Sequence, residues 1–232
     1  MINIADSLNS AYANIKQLAI KHHRDPNSVE LLAVSKTKPI ELIVDAYQQG
    51  HRKFGENYAS ELNQKVKDLS QYPDIEWHFI GPIQSNKTKL IANNCDWVHS
   101  IDREKIATRL SEQRDPSRGK LNILIQVNID AEQTKAGVML EDVPALAEKI
   151  TNTPNLNLRG LMAIPQKSDD LAQQSHAFSQ LNDCFVALKA LYKQVDTLSM
   201  GMSGDIEAAI AQGSTMVRIG TAIFGAREPK RQ

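Results

Sequence analysis

Long apolar runs are missing from these 232 residues: none approaches the ~20 residues that carry a helix across a bilayer. That excludes an integral helical membrane protein. Cysteine is scarce as well. Cys95 and Cys184 are the only two, and their spacing matches no metal-ligand or redox pattern. A disulfide framework is excluded, and a reduced compartment fits. Charge of one sign is not in excess, because 27 Lys and Arg offset 27 Asp and Glu. No basic surplus speaks for nucleic acid, and no block of like charge marks a tail. Residues 1–10 carry no basic-then-apolar leader pattern. These absences predict a soluble, cytoplasmic protein. The basic end at 227–232 reads as a short solvated terminus, with a basic contact patch as the rival.

What is present is alternation. Short apolar or β-branched runs recur at 31–35, 52–55, 77–81, 97–100, 122–128, 159–164, 197–200 and 216–220. Helical patterns fall between them at 40–49, 58–69, 87–93, 103–113, 141–151, 170–192 and 204–211. An amphipathic helix over 4–21 comes before the first strand, with Ile4, Leu8, Ile15, Leu18 and Ala19 near one face. Strand–helix alternation implies parallel strands with helical crossovers. Eight such units in a chain of this length predict an α/β fold, a single (β/α)8 TIM barrel over residues 1–232 with an extra N-terminal helix. The alternative, an open doubly wound sheet, calls for a glycine-rich phosphate turn after the first strand. This chain has Lys36-Thr37-Lys38 there.

Lys36 closes the run Leu31-Leu32-Ala33-Val34-Ser35, and strand alternation puts it on the face of Leu32 and Val34. An amine stripped of water loses proton affinity, and its neutral form attacks aldehydes. Lys36 is thus a Schiff-base candidate; its rival role is a snorkelling lysine at a strand end. In a barrel, phosphate sites often form from the loops after strands seven and eight. Strand seven runs into Gly201-Met202-Ser203-Gly204-Asp205, and strand eight into Gly220-Thr221. Two hydroxyl–glycine turns side by side suit a dianion, while plain helix capping accounts equally for Ser203 and Asp205. Arg218 lies inside strand eight between Val217 and Ile219, where a cation must be paired or face a ligand. Arginine is one of two common partners of the pyridine nitrogen of pyridoxal phosphate (PLP), the other being aspartate. Asn57 reads as a helix N-cap, with a cofactor contact as the second reading. His78 reads as a satisfied core histidine. Asn128, Met162 and Pro165 are candidates for the pocket floor, and Glu56 reads as a solvated helix start.

The stretches LLAVSKTKP (31–39), FGENY (54–58), WHFIGPIQSNK (77–87), HSID (99–102), RGLMAIP (159–165), SMGMSGD (199–205) and GSTMVRIGTAIFGAR (213–227) resemble the pyridoxal phosphate homeostasis proteins, relatives of the alanine racemase barrel domain. The resemblance covers nearly the whole chain. It implies PLP held as a lysine aldimine by Lys36. Arg218 then approaches the pyridine nitrogen, and Ser203, Gly220 and Thr221 lie against the phosphate, with Asn57 near the ring. It also implies a role in intracellular vitamin B6 homeostasis, with PLP-dependent apo-enzymes as recipients; the charge balance and short apolar runs argue for no nucleic-acid or membrane partner, and the loss of a partner domain leans toward a monomer. A racemase needs a second base on the opposite face of the substrate. In the related racemases that base is a tyrosine from a second domain, for which the residues after strand eight leave no room. A non-catalytic carrier is therefore expected. The alternative is a weak amino-acid racemase using water or Tyr58. A second docking site on Lys135, Lys230 or the pair Lys87 and Lys89 is a further reading, against plain solvated charge.

Overall fold

A computed structural model describes residues 3–130, 132, 135–166, 168 and 170–226. The terminal segment at 227–232, with Lys230, lies outside the described residues. The elements run α1 (Ile4–Lys21), β1 (Glu30–Val34), α2 (Ile40–Gln48), β2 (Lys53–Glu56), α3 (Ala59–Asp68), β3 (Glu76–Phe79), α4 (Thr88–Asn94), β4 (Trp97–Ile101) and α5 (Glu104–Gln113). They continue with β5 (Leu121–Val127), α6 (Val143–Thr151), β6 (Leu156–Ala163), α7 (Leu171–Leu191), β7 (Thr197–Ser199), α8 (Ile206–Ala211), β8 (Met216–Ile219) and α9 (Thr221–Phe224). The strands are all parallel in the order β1 to β8, and β8 closes onto β1. The (β/α)8 barrel read from the alternation is the fold.

The core has two parts because strand side chains alternate. Leu31, Ala33, Phe54, Val98, Ile123, Leu198, Val217 and Ile219 point outward and merge with the apolar faces of the helices in one buried cluster. Burying each of these side chains larger than alanine is worth about 1.5–3 kcal/mol. Inside the barrel, Trp97, Leu124 and Met162 form a separate small cluster. Leu32 and Met216 also face inward, and the polar side chains of His78, His99, Ser199 and Arg218 share that interior.

Two elements depart from expectation. β6 begins at Leu156, three residues before the apolar run suggests, because Arg159 sits at a bulge. Ile123 pairs with Leu158, but Leu124 pairs with Gly160. Gly160 has φ +148°, and a Cβ there would lie 1.9 Å from the carbonyl oxygen of Thr197, so only glycine lets β7 come this close. The short α9 after β8 carried no sequence signal, since four residues are too few for a helical period.

Candidate functional site

Lys36 lies two residues beyond the end of β1, at the C-terminal mouth of the barrel, and is half-buried. The backbone around it is held from three sides. The Ser35 hydroxyl donates to Glu56 Oε1 at 2.6 Å, and Lys65 Nζ donates to the Ser35 carbonyl at 2.8 Å. Lys65 also pairs with Glu56 and Glu61, each at 2.7 Å. Glu61 in turn accepts the Thr37 N–H at 2.6 Å, fixing a residue held at φ +62°. Lys38 Nζ donates to the carbonyls of Gly225 and Ala226, tying the loop to the segment after β8.

Glu56 thus corrects the expectation of a solvated helix start: its side chain is fully buried. Burial pushes its carboxyl up, and the Lys65 ammonium and the Ser35 hydroxyl oppose that push. Sequence reasoning missed Lys65. The signal existed, because Ala59, Leu62 and Lys65 share the buried face of α3 at helical spacing, and Glu61 stands four residues before Lys65.

Asn57 does not cap α3. Tyr58 holds that position without a side-chain bond, since the chain leaves β2 one residue later than the polar pattern suggests. Asn57 Oδ1 is instead buried with no hydrogen-bond partner. Such an orphan acceptor needs a donor to offset its lost hydration. Asn57 and Tyr58 line a cavity of about 310 Å³ with Pro82, Gln84 and Lys87. Ser203 likewise does not cap α8. The N-cap is Asp205, whose carboxylate accepts the Met202 N–H at 2.5 Å and so closes the loop on itself. Ser203 is left exposed.

Arg218 is buried inside the barrel, on the strand next to that of Lys36, with Leu32 as its register partner. Its Nη1 donates to the carbonyl of Ser199 at 2.7 Å and to the Ser199 hydroxyl at 2.8 Å, and its Nη2 donates to the Ala163 carbonyl at 2.9 Å. Burial pulls the guanidinium down to about 10, with Asp205 opposing, so Arg218 remains a cation at neutral pH. The loops after β7 and β8 meet beside it. Ser203 and Ala222 line one cavity of about 210 Å³ with Ser7, Ser10 and Asn14 of α1. Gly220 is tight against β1, for an added Cβ would come 3.2 Å from the Val34 carbonyl. Thr221 is exposed at the start of α9. The structure therefore brings β1, β7 and β8 together at one mouth, with an amine, a buried cation and two exposed hydroxyls.

The remaining candidates lie elsewhere or are otherwise engaged. His78 is fully buried and bonded on both ring nitrogens, as a core histidine. Asn128 binds the carbonyl of Glu132, and Lys135 pairs with Asp130 and Glu132. Met162 belongs to the interior cluster, and Pro165 lines a second cavity of about 310 Å³ with Met202 and Asp205. Among the described residues, no group of three or more His, Cys, Asp or Glu could hold a metal ion, and no helix is long and apolar enough to cross a membrane.

Residues 7–228 match the family of the alanine racemase N-terminal domain. A curated relative from Vibrio alginolyticus, named pyridoxal phosphate homeostasis protein, is 53% identical over 98% of this chain and 99% of its own. The structure of PipY from Synechococcus elongatus with PLP bound superposes with a TM-score of 0.82 at 33% identity, covering 96% of this chain and 100% of that one. An alanine racemase from Corynebacterium glutamicum shares the fold at 15% identity, with a TM-score of 0.70 over 98% of this chain and 62% of the racemase.

Proposed function

This chain belongs to the pyridoxal phosphate homeostasis protein family, and from that membership we propose that it binds PLP at the mouth formed by β1, β7 and β8 and buffers or delivers the cofactor without turning over a substrate. The observation that carries the reading is the pairing of neighbouring strands. β1 leads into Lys36, β8 carries buried Arg218, and β8 ends at Gly220 and Thr221.

The residues present fit the group. The buried acceptor of Asn57 lacks a donor, and the exposed hydroxyls of Ser203 and Thr221 suit an anion. When bound, PLP supplies an aldehyde that condenses with amines and a ring that withdraws electrons. Lys36 contributes the attaching amine through Nζ. Ser35, Glu56, Lys65 and Glu61 hold the backbone on which that amine stands. Arg218 would serve as the donor toward the pyridine nitrogen. A guanidinium with a pKa of about 10 keeps its own proton, so it would leave the ring nitrogen unprotonated and the ring a weaker electron sink. That suits storage better than carbanion chemistry. Ser203, Gly220 and Thr221 would hold the phosphate, and Asn57 would contact the ring.

The curated relatives, matched over 97% to 99% of their own length, carry the homeostasis name rather than a racemase name, which supports the carrier over a racemase using Tyr58. The reading keeps a monomeric, cytoplasmic protein with PLP-dependent apo-enzymes as recipients. Freshly purified protein should show a visible absorbance band, and Lys36→Ala should abolish it. Borohydride should trap PLP on Lys36, and an adduct mapping to another lysine overturns the assignment. Sustained α-deuteration of L-alanine in heavy water would instead favour the racemase.

A further inference from the structure

Arg218 is not held by backbone alone. Its bond to the Ser199 hydroxyl is the upper end of a chain of side chains running down the barrel axis. Ser199 Oγ lies 3.1 Å from His99 Nδ1. His99 Nε2 lies 2.8 Å from His78 Nδ1, and His78 Nε2 lies 2.8 Å from Glu76 Oε1. Arg218, Ser199, His99 and His78 are buried, and the Glu76 side chain is 34% exposed at the opposite, N-terminal rim. There it borders a cavity of about 450 Å³ that also contains Lys53 and Arg159. His78 stacks on Trp97 at 5.4 Å with planes 8° apart, which fixes the ring's orientation.

The donor order follows from the end groups. Arg218 can only donate, so Ser199 accepts from it and has one hydrogen left to give. At the far end, the Glu76 carboxylate can only accept, so His78 carries its proton on Nε2. A neutral imidazole has one donor and one acceptor, and His78 Nδ1 must then accept from His99 Nε2–H. His99 Nδ1 is left to accept the Ser199 hydroxyl proton. Every link points the same way, from a cation at the mouth to an anion at the rim. The charges agree with this order. Burial holds both imidazoles neutral, His99 most strongly, with the Arg218 charge also acting against it. Burial works to raise Glu76, but the His78 bond and the Lys53 charge bring it below the usual carboxylate range.

We propose that Ser199, His99, His78 and Glu76 are positioning residues that form a one-way hydrogen-bond relay, locking the Arg218 guanidinium in the orientation that meets the cofactor ring. This rests on the reading of Arg218 as the pyridine-nitrogen partner. Three of the five Arg218 N–H groups are committed to Ser199 and Ala163. Those left, on Nε and Nη2, have no partner among the described residues. The relay decides which edge is left over. A directional chain polarises each successive bond, and neutralising one end lets the order reverse.

The test has two arms. In cofactor-free protein labelled with nitrogen-15 histidine, both His78 and His99 should be protonated on Nε2 and bare on Nδ1. Glu76→Gln should redistribute the His99 tautomer, two links from the substitution. In the second arm, Ser199→Ala should weaken PLP binding about five- to tenfold and shift the absorbance maximum, with Ser199→Thr recovering both. A proton on Nδ1 of either ring in the wild type overturns the relay. So does PLP affinity within twofold of wild type, with an unchanged spectrum, in folded Ser199→Ala and Glu76→Gln proteins that still attach PLP at Lys36. If wild-type protein fails to take up PLP, the proposed function fails, and the tautomer measurement still decides the relay.

Discussion

Lys36 and Arg218 stand on adjacent strands, and the protein holds them in place by opposite means. Around Lys36, outside the barrel wall, the support is ionic. Glu56 and Lys65 are charged groups taken out of water together, with Glu61 and the Ser35 hydroxyl completing the set. Beneath Arg218, inside the barrel, the support is neutral imidazole and hydroxyl, with a charge only at each end. The difference teaches what each location tolerates. Between wall and helix, a lysine from α3 reaches the carboxylate over a short span. Along the axis, the distance from mouth to rim is too long for one pair, and uncharged links avoid the cost of burying more ions. An ionic support fails when one partner is removed, whereas a neutral one fails when a ring gains a proton.

The largest effect should come from the ionic side. Lys65→Met leaves Glu56 buried and unpaired and should cost about 3–5 kcal/mol of stability. Adding Glu56→Gln should restore part of it, as read by denaturant melts. Equal stability in the single variant and the wild type would erase the contrast between the two supports.

Acid sharpens the contrast next. His51, which accepts from the Tyr12 hydroxyl and donates to the Lys53 carbonyl, is pulled by burial down to about 4. His78 and His99 are lowered by burial as well. A group depressed in the folded state stabilises fully above its unfolded pKa and loses that contribution as pH falls. Stability should therefore hold above pH ~6.5 and decline below it, with His51 alone contributing on the order of 3 kcal/mol by pH ~4. Denaturation at stepped pH reads the slope. His51→Phe should make it shallower, and a flat profile from pH 7 to 4.5 would contradict neutral burial.

The smallest effects fall at the exposed mouth. Ser203→Ala and Thr221→Ala should each cost about 1 kcal/mol of PLP binding, measured by absorbance titration. Unchanged affinity in the double variant would leave only backbone amides for the phosphate.

The alternation of apolar runs and helical periods determined the barrel, because parallel strands need covered faces and only helices supply the crossovers. The placement of these residues was legible for the same reason: position on or after a strand near the C-terminal mouth, plus residue type, already marks Lys36, Arg218, Ser203, Gly220 and Thr221 as candidates. Capping propensity misplaced Asn57 and Ser203, since the point at which a chain leaves a strand is set by packing against its neighbours. The pairing of Glu56 with Lys65 and the chain from Arg218 to Glu76 were decided by the tertiary structure, although helical spacing already put Lys65 on the buried face of α3. Successive members lie 2 to 100 residues apart in sequence, and whether an isolated histidine or glutamate is solvated or buried against a partner depends on barrel closure, which no local pattern encodes.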